Sequence, residues 1–168
     1  MNRVKFVTGV VRFTNVNVYQ PISFKEGTTP KYGMTLLIPK SNVAEIERIN
    51  RAYADVKNFN QAYLNGSEPV FGGLRDGDID GNDPHMVDYY FLNIFSREKP
   101  KIIDKDMNPI IDRDALYNGY YGRVSVTLYP LHGKAGSGII AELNNILKLK
   151  DGDRILGTGI EQEFQWED

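Results

Sequence analysis

The 168-residue chain has no cysteine, one tryptophan and two histidines. The absence of thiols excludes disulfide staples, thiolate nucleophiles and cysteine-based zinc sites, and it suits a reducing compartment. No apolar run is long enough to cross a bilayer, and the opening MNRVKFVTGVV enters strand-like sequence without a small-residue cleavage site. A cytoplasmic protein with no membrane partner is therefore expected. Heptads and internal repeats are also missing. With 41% hydrophobic residues the chain can bury one proper core, so a single domain is expected.

The chain's 20 basic and 22 acidic residues nearly balance but are unevenly placed. The formal net charge is −2, and removing the four acids of the closing EQEFQWED leaves the remainder at +2. Up to Lys57 nine basic residues face four acidic ones. A basic body with an acidic end can bind polyanions through one part and regulate that binding through the other. The competing reading is a solvated, frayed terminus.

The richest signal is the stretch GYYGRVSVTLY at 119–129. Side chains two apart share a face of a strand, so Tyr120, Val124, Val126 and Leu128 form a core face. Tyr121, Arg123, Ser125, Thr127 and Tyr129 form the other, a polar platform with two rings and a guanidinium. VDYYFLNIFSR at 87–97 repeats the arrangement, with Tyr90, Leu92 and Ile94 inward and Tyr89, Phe91, Asn93, Phe95 and Arg97 outward. Such faces suit base stacking with cations at the rim. They also suit burial under a helix, a hairpin or a partner chain.

The order of elements points to a small barrel. A long first strand over 3–19, interrupted near Gly9 and Asn15, precedes a second over 31–38 that Pro39 ends. Asn42 with Glu45 resembles a capping box, and Val43, Ile46, Ile49, Tyr53 and Val56 recur at helical spacing, predicting one helix over residues 42–64. A glycine- and aspartate-rich connection over 65–86 leads to the aromatic strand, then to a protruding β-hairpin around DKDMNP. The platform strand, the loop HGKAGSG and a last strand over 138–149 follow, the last with Ile139, Ala141, Leu143, Leu147 and Leu149 as its apolar set. Five strands and one inserted helix predict a mainly β protein, a β-barrel of the OB-fold type.

Several catalytic or metal motifs fail. Asp76, Asp78, Asp80 and Gly81 match the opening of a calcium loop, but its twelfth position is Val87 rather than a bidentate glutamate. HGKAGSG lacks the order of a phosphate-binding loop, and His85 and His132 have no ligand-spaced partners. With no nucleophile elbow or paired catalytic carboxylates, neither an enzyme nor a cofactor is expected.

In combination and in this order, KYGMTLLIPKSN, GGLRDGD, YYFLNIFSR, GYYGRVSVTLYP and GSGIIAELNNILKLKDGDRILG resemble the phage-encoded OB-fold single-stranded-DNA-binding proteins. The resemblance runs from about Val4 to Gly159. It implies a non-catalytic protein that coats exposed single strands during phage DNA replication or recombination, with little sequence preference, in the cytoplasm of an infected host. Residues 1–159 are then the nucleic-acid-binding domain and 160–168 an acidic tail. The tail residues Glu161, Glu163, Phe164, Trp166, Glu167 and Asp168 are similar in character to tails that recruit replication or recombination proteins and limit DNA binding. They depart from the commonest form in ending on Asp168 rather than an aromatic residue.

For the DNA-binding surface the expected stacking rings are Tyr89, Phe91, Phe95, Tyr121 and Tyr129. The expected phosphate contacts are Lys5, Arg12, Lys31, Arg97, Arg123 and Lys134. The alternative is a protein-interaction or assembly module on the same barrel, its aromatic faces covered by a partner or a second copy.

Overall fold

The strand alternation read above folds into a closed ring. The computed structural model describes residues 1–23, 26–81, 83–134 and 136–156. Its longest feature is a hairpin of β7 (Tyr121–Gly133) and β8 (Gly136–Lys150). The turn is closed by the Gly133–Gly136 pair, and Gly136 sits at φ 119°, which favours glycine.

Strand β1 (Val4–Val7) and β2 (Val11–Ile22) lie one after the other along β7, so they act as a single long strand broken near Gly9. Strand β2 pairs with β3 (Lys31–Pro39), and β3 with β5 (Tyr89–Ser96), both antiparallel. Strand β5 runs parallel to β8, and the antiparallel β8–β7 and β7–β2 pairings close a five-stranded ring. Two short strands extend it: β4 (Arg75–Asp76) on β5, and β6 (Lys101–Ile103) alongside β8. After β6 the chain folds back, with an Ile103–Pro109 bridge and a hydrogen bond from Ile110 N to Ile102 O of 3.0 Å, as the predicted hairpin requires.

The barrel interior holds Phe13, Leu36, Ile94, Val126 and Leu128, all fully buried, with Tyr120 stacked on Phe13 at 4.7 Å. Helix α1 (Val43–Phe59) adds Ile49, Ala52 and Val56 to this core. Asn42 caps it by accepting from Glu45 N at 3.3 Å. The Glu45 carboxylate does not complete a capping box; it is buried and accepts the Gly9 amide with both oxygens at 3.0 Å. The helix ends earlier than the periodicity predicts. The buried Asn60 side chain donates to Val56 O and Asn2 O and accepts from Asn2 N, breaking the run before α2 (Gln61–Leu64).

A second departure lies in β8. Its pairing shifts register between Val126–Leu143 and Val124–Ile146, so Ile146 turns into the core while Leu147 pairs with the outward Arg123, and a second shift leaves Leu149 unpaired between Gly122–Lys148 and Tyr121–Lys150. A β-bulge inserts one residue and exchanges the faces beyond it. Tyr90, expected in the core, is half-buried beneath the Lys40 ammonium at 5.2 Å.

Candidate nucleic-acid interface

On the outer side of β3 and β5, residues pair across the strands as Leu37 with Phe91, Thr35 with Asn93, and Gly33 with Phe95. The first pair is covered. Leu37, Met86, Phe91 and Ile155 form a small second core with Tyr89 packed against it, and the Arg75 guanidinium lies 5.0 Å above the Phe91 ring. Phe91, at 3% exposure, therefore offers no stacking face, while the half-buried Tyr89 packs against the same cluster.

Further along, the surface opens. Two depressions of about 760 and 450 Å³ share Phe95 as a wall. Phe95 lies across Gly33, where an added Cβ would stand 2.5 Å from the ring and 2.8 Å from Ile94 O, so the absence of a side chain lets the ring lie there. The larger depression brings Tyr129 of β7 opposite Phe95 and lines the space with Lys31, Arg97, Lys99 and Lys101. Glu98 and Glu142 are its acids, leaving the lining net positive. The smaller depression mixes asparagines with apolar side chains. Asn15 Nδ2 donates to Thr35 Oγ1 at 3.1 Å, and Thr35 Oγ1 donates to Asn93 Oδ1 at 2.7 Å, a chain that orients the exposed Asn93 amide.

Tyr129 is half-buried, and the Arg3 guanidinium stands 4.4 Å from its ring centroid. Burial, aided by Glu142, holds its phenol pKa above the usual value against the opposing pull of Arg3 and Arg97, so the ring is neutral at physiological pH as an unshifted tyrosine also is. A neutral phenol adds no negative charge where phosphates would approach.

Of the expected residues, Lys31, Phe95, Arg97 and Tyr129 converge on this groove. Lys5 is exposed on β1 opposite Thr127, and Lys134 is exposed at the β7–β8 tip. Arg12 and Tyr121 lie at the far end of β7. There Arg12 Nε donates to Gly119 O at 3.1 Å, its Nη2 donates to Asp153 O, and its guanidinium stands 5.6 Å from the Tyr121 ring. Arg123 Nε donates to Thr8 O at 2.9 Å, tying β7 to the break between β1 and β2. The tail residues Glu161 to Asp168 lie outside the described residues.

Lys99 and Lys101 were missed, although Arg97, Lys99 and Lys101 continue the two-residue alternation of the aromatic strand. Arg3 was missed because its contact with Tyr129 is a pairing of distant segments. In the aspartate loop Lys40 Nζ sits 2.7 Å from Asp76 and 2.6 Å from Asp78. Among the described residues no cluster of His, Cys, Asp and Glu could hold a metal, and no helix is long and apolar enough to cross a membrane.

The profile of a family described as the ssDNA-binding protein of Enterobacter phage Enc34 matches residues 4–168. A putative protein, p50, of Acyrthosiphon pisum secondary endosymbiont phage 1 is 27% identical over 167 residues, covering 94% of this chain and 90% of that protein. Among solved structures, the single-stranded DNA-binding protein from bacteriophage Enc34 in complex with ssDNA superposes with a TM-score of 0.78 at 21% identity, covering 90% of this chain and 89% of the other. The single-stranded DNA-binding protein encoded by bacteriophage T7 gives a TM-score of 0.59 at 15% identity, covering 99% and 96%. The barrel therefore has the fold of these phage proteins.

Proposed function

The chain belongs to the family of the Enterobacter phage Enc34 ssDNA-binding protein, and from that premise we propose that it binds single-stranded DNA in the groove between β3, β5 and the β7–β8 hairpin. The observation that carries this reading is the meeting of Phe95 and Tyr129 with Lys31, Arg97, Lys99 and Lys101 in one depression. Bases stack on the two rings, whatever their identity, because every base has a π-face. The cations meet phosphates, and the Asn93 amide reaches a base edge or a sugar. Duplex DNA hides its base faces, so the groove selects single strands. Little sequence preference follows, which suits coating of exposed strands during phage replication or recombination. No step of bond making or breaking is involved.

The acidic residues 160–168 compete in this scheme with DNA for the basic surface and offer Phe164 and Trp166 to replication partners. Deleting them should tighten binding at low salt and change little at high salt, where the competition is screened.

Anisotropy of a labelled oligothymidine, with matching duplex as control, tests the reading. If all four groove cations meet phosphates, log affinity should fall with log salt with a slope of about −2.8, at roughly −0.7 per charge on single strands. Duplex bound as tightly as single strand, or no binding at low salt after removal of the tail, would reject it and leave the interaction-module reading.

A further inference from the structure

The ring-under-cation unit at Tyr129 recurs at the opposite end of the same hairpin. Tyr121 stands under Lys150 Nζ at 4.8 Å and Arg12 at 5.6 Å, and Tyr117 under Arg154 at 4.4 Å. The patch is built rather than loose. The Tyr117 hydroxyl donates to Gly152 O and accepts from Gly152 N, both at 3.0 Å. An added Cβ at Gly152 would stand 2.6 Å from Tyr121 Cε2, so the backbone at Gly152 lies close against the second ring. Lys148 is neutralised by Asp151 at 2.6 Å, while Lys150 and Arg154 are exposed.

Position on the hairpin argues for the ligand. Tyr121 and Tyr129 lie on one face of β7, eight residues or about 26 Å apart along the strand. Between them that face carries Arg123, Ser125 and Thr127, all half-exposed, so the lane joining the two tyrosines is polar and ends in positive charge. A phosphodiester chain leaving the groove at Tyr129 meets no acid from β7; at Thr127 it passes Glu142 of β8 on one side and Lys5 of β1 on the other before it reaches this patch.

We propose that Tyr117, Tyr121, Lys150 and Arg154 form a second single-stranded-DNA contact, used only by strands long enough to leave the groove and follow the outer face of β7. This rests on the single-strand reading of the groove and adds a length dependence to it. The patch is a phosphate-binding exit, with Tyr121 as a further stacking ring.

The test compares labelled oligothymidines of about 5 and about 15 nucleotides, lengths near the two ends of the range of about 4–16 nucleotides that OB folds occupy. The parent should bind the longer strand more tightly. The double variant Lys150→Ala, Arg154→Ala should weaken binding of the longer strand several-fold and make its salt slope shallower by about 1.4, two charges at roughly 0.7 each. It should leave the shorter strand unchanged, which also certifies its fold. Tyr121→Leu should likewise weaken only the longer strand. Equal effects on both lengths, or on neither, would overturn the proposal. Tighter binding of both lengths by the double variant would also overturn it and assign the patch to the chain's own acidic end. A parent that binds neither oligonucleotide would reject the single-strand reading itself and this inference with it, a failure visible before any variant is made.

Discussion

Phe91 and Phe95 show how much one neighbouring segment decides. Both point to the outer face of β5, yet Phe91 is sealed by Met86, Ile155 and Arg75 whereas Phe95 walls the groove. Phe95→Ala should weaken single-strand binding by about 1–3 kcal/mol, the contribution of one stacked base, while leaving thermal stability close to that of the parent. Phe91→Ala should do the reverse, costing about 3–5 kcal/mol of stability in urea denaturation because it opens a cavity in a packed cluster. Alternation made both residues legible as outward-facing. Their separation was not legible, since what covers Phe91 arrives from positions 75, 86 and 155, and no local spacing encodes those meetings. Gly33 belongs to the same account: its role is to leave room for the Phe95 ring, and that pairing exists only once β3 and β5 are in register.

Among the elements, helix α1 is held to the barrel by Glu45, whose buried carboxylate accepts the Gly9 amide. Glu45→Ala leaves that N–H without its acceptor and should cost about 1–3 kcal/mol, read as a lower urea midpoint. The spacing that suggested a capping box was real, but the glutamate answers a distant strand break instead of its own helix. A second tie joins the end of β3 to β4, where hydrogen bonds from Lys40 hold the Asp76 and Asp78 carboxyls below the ordinary range and the carboxylates hold Lys40 above its own. Carboxyls with depressed folded pKa values contribute stability that is fully present above their unfolded value and lost as pH falls through the folded one. The stability difference between parent and Lys40→Met should thus be present at neutral pH and vanish in acid below the carboxylate range. A difference that persists unchanged there would show that the lysine acts through packing over Tyr90 alone. The element order, the helix and the hairpin after β6 were readable from period and turn residues. The bulge in β8 was not, because Asn144 and Asn145 give no local sign of which of them is the extra residue; the pairing with β7 decides it.

For the whole molecule, ring closure turns separate strand faces into one groove. Strand β5 contributes Phe95, β3 contributes Lys31 and β7 contributes Tyr129, and the parallel contact of Phe95 with Glu142 on β8 fixes their approach. A net charge of −2 would by itself argue against a nucleic-acid partner, and the placement of the charges resolves the conflict: the groove is lined by four bases and two acids. On the proposed reading, single strands lie in this groove. That reading is tested most directly by photo-crosslinking a bromouracil-substituted oligonucleotide to the full chain and mapping the attached peptides by mass. Crosslinks to Phe95 and Tyr129 that fade as salt rises are predicted. Crosslinks confined to other surfaces, with Phe95 and Tyr129 unmodified under conditions where the strand is bound, would contradict the account.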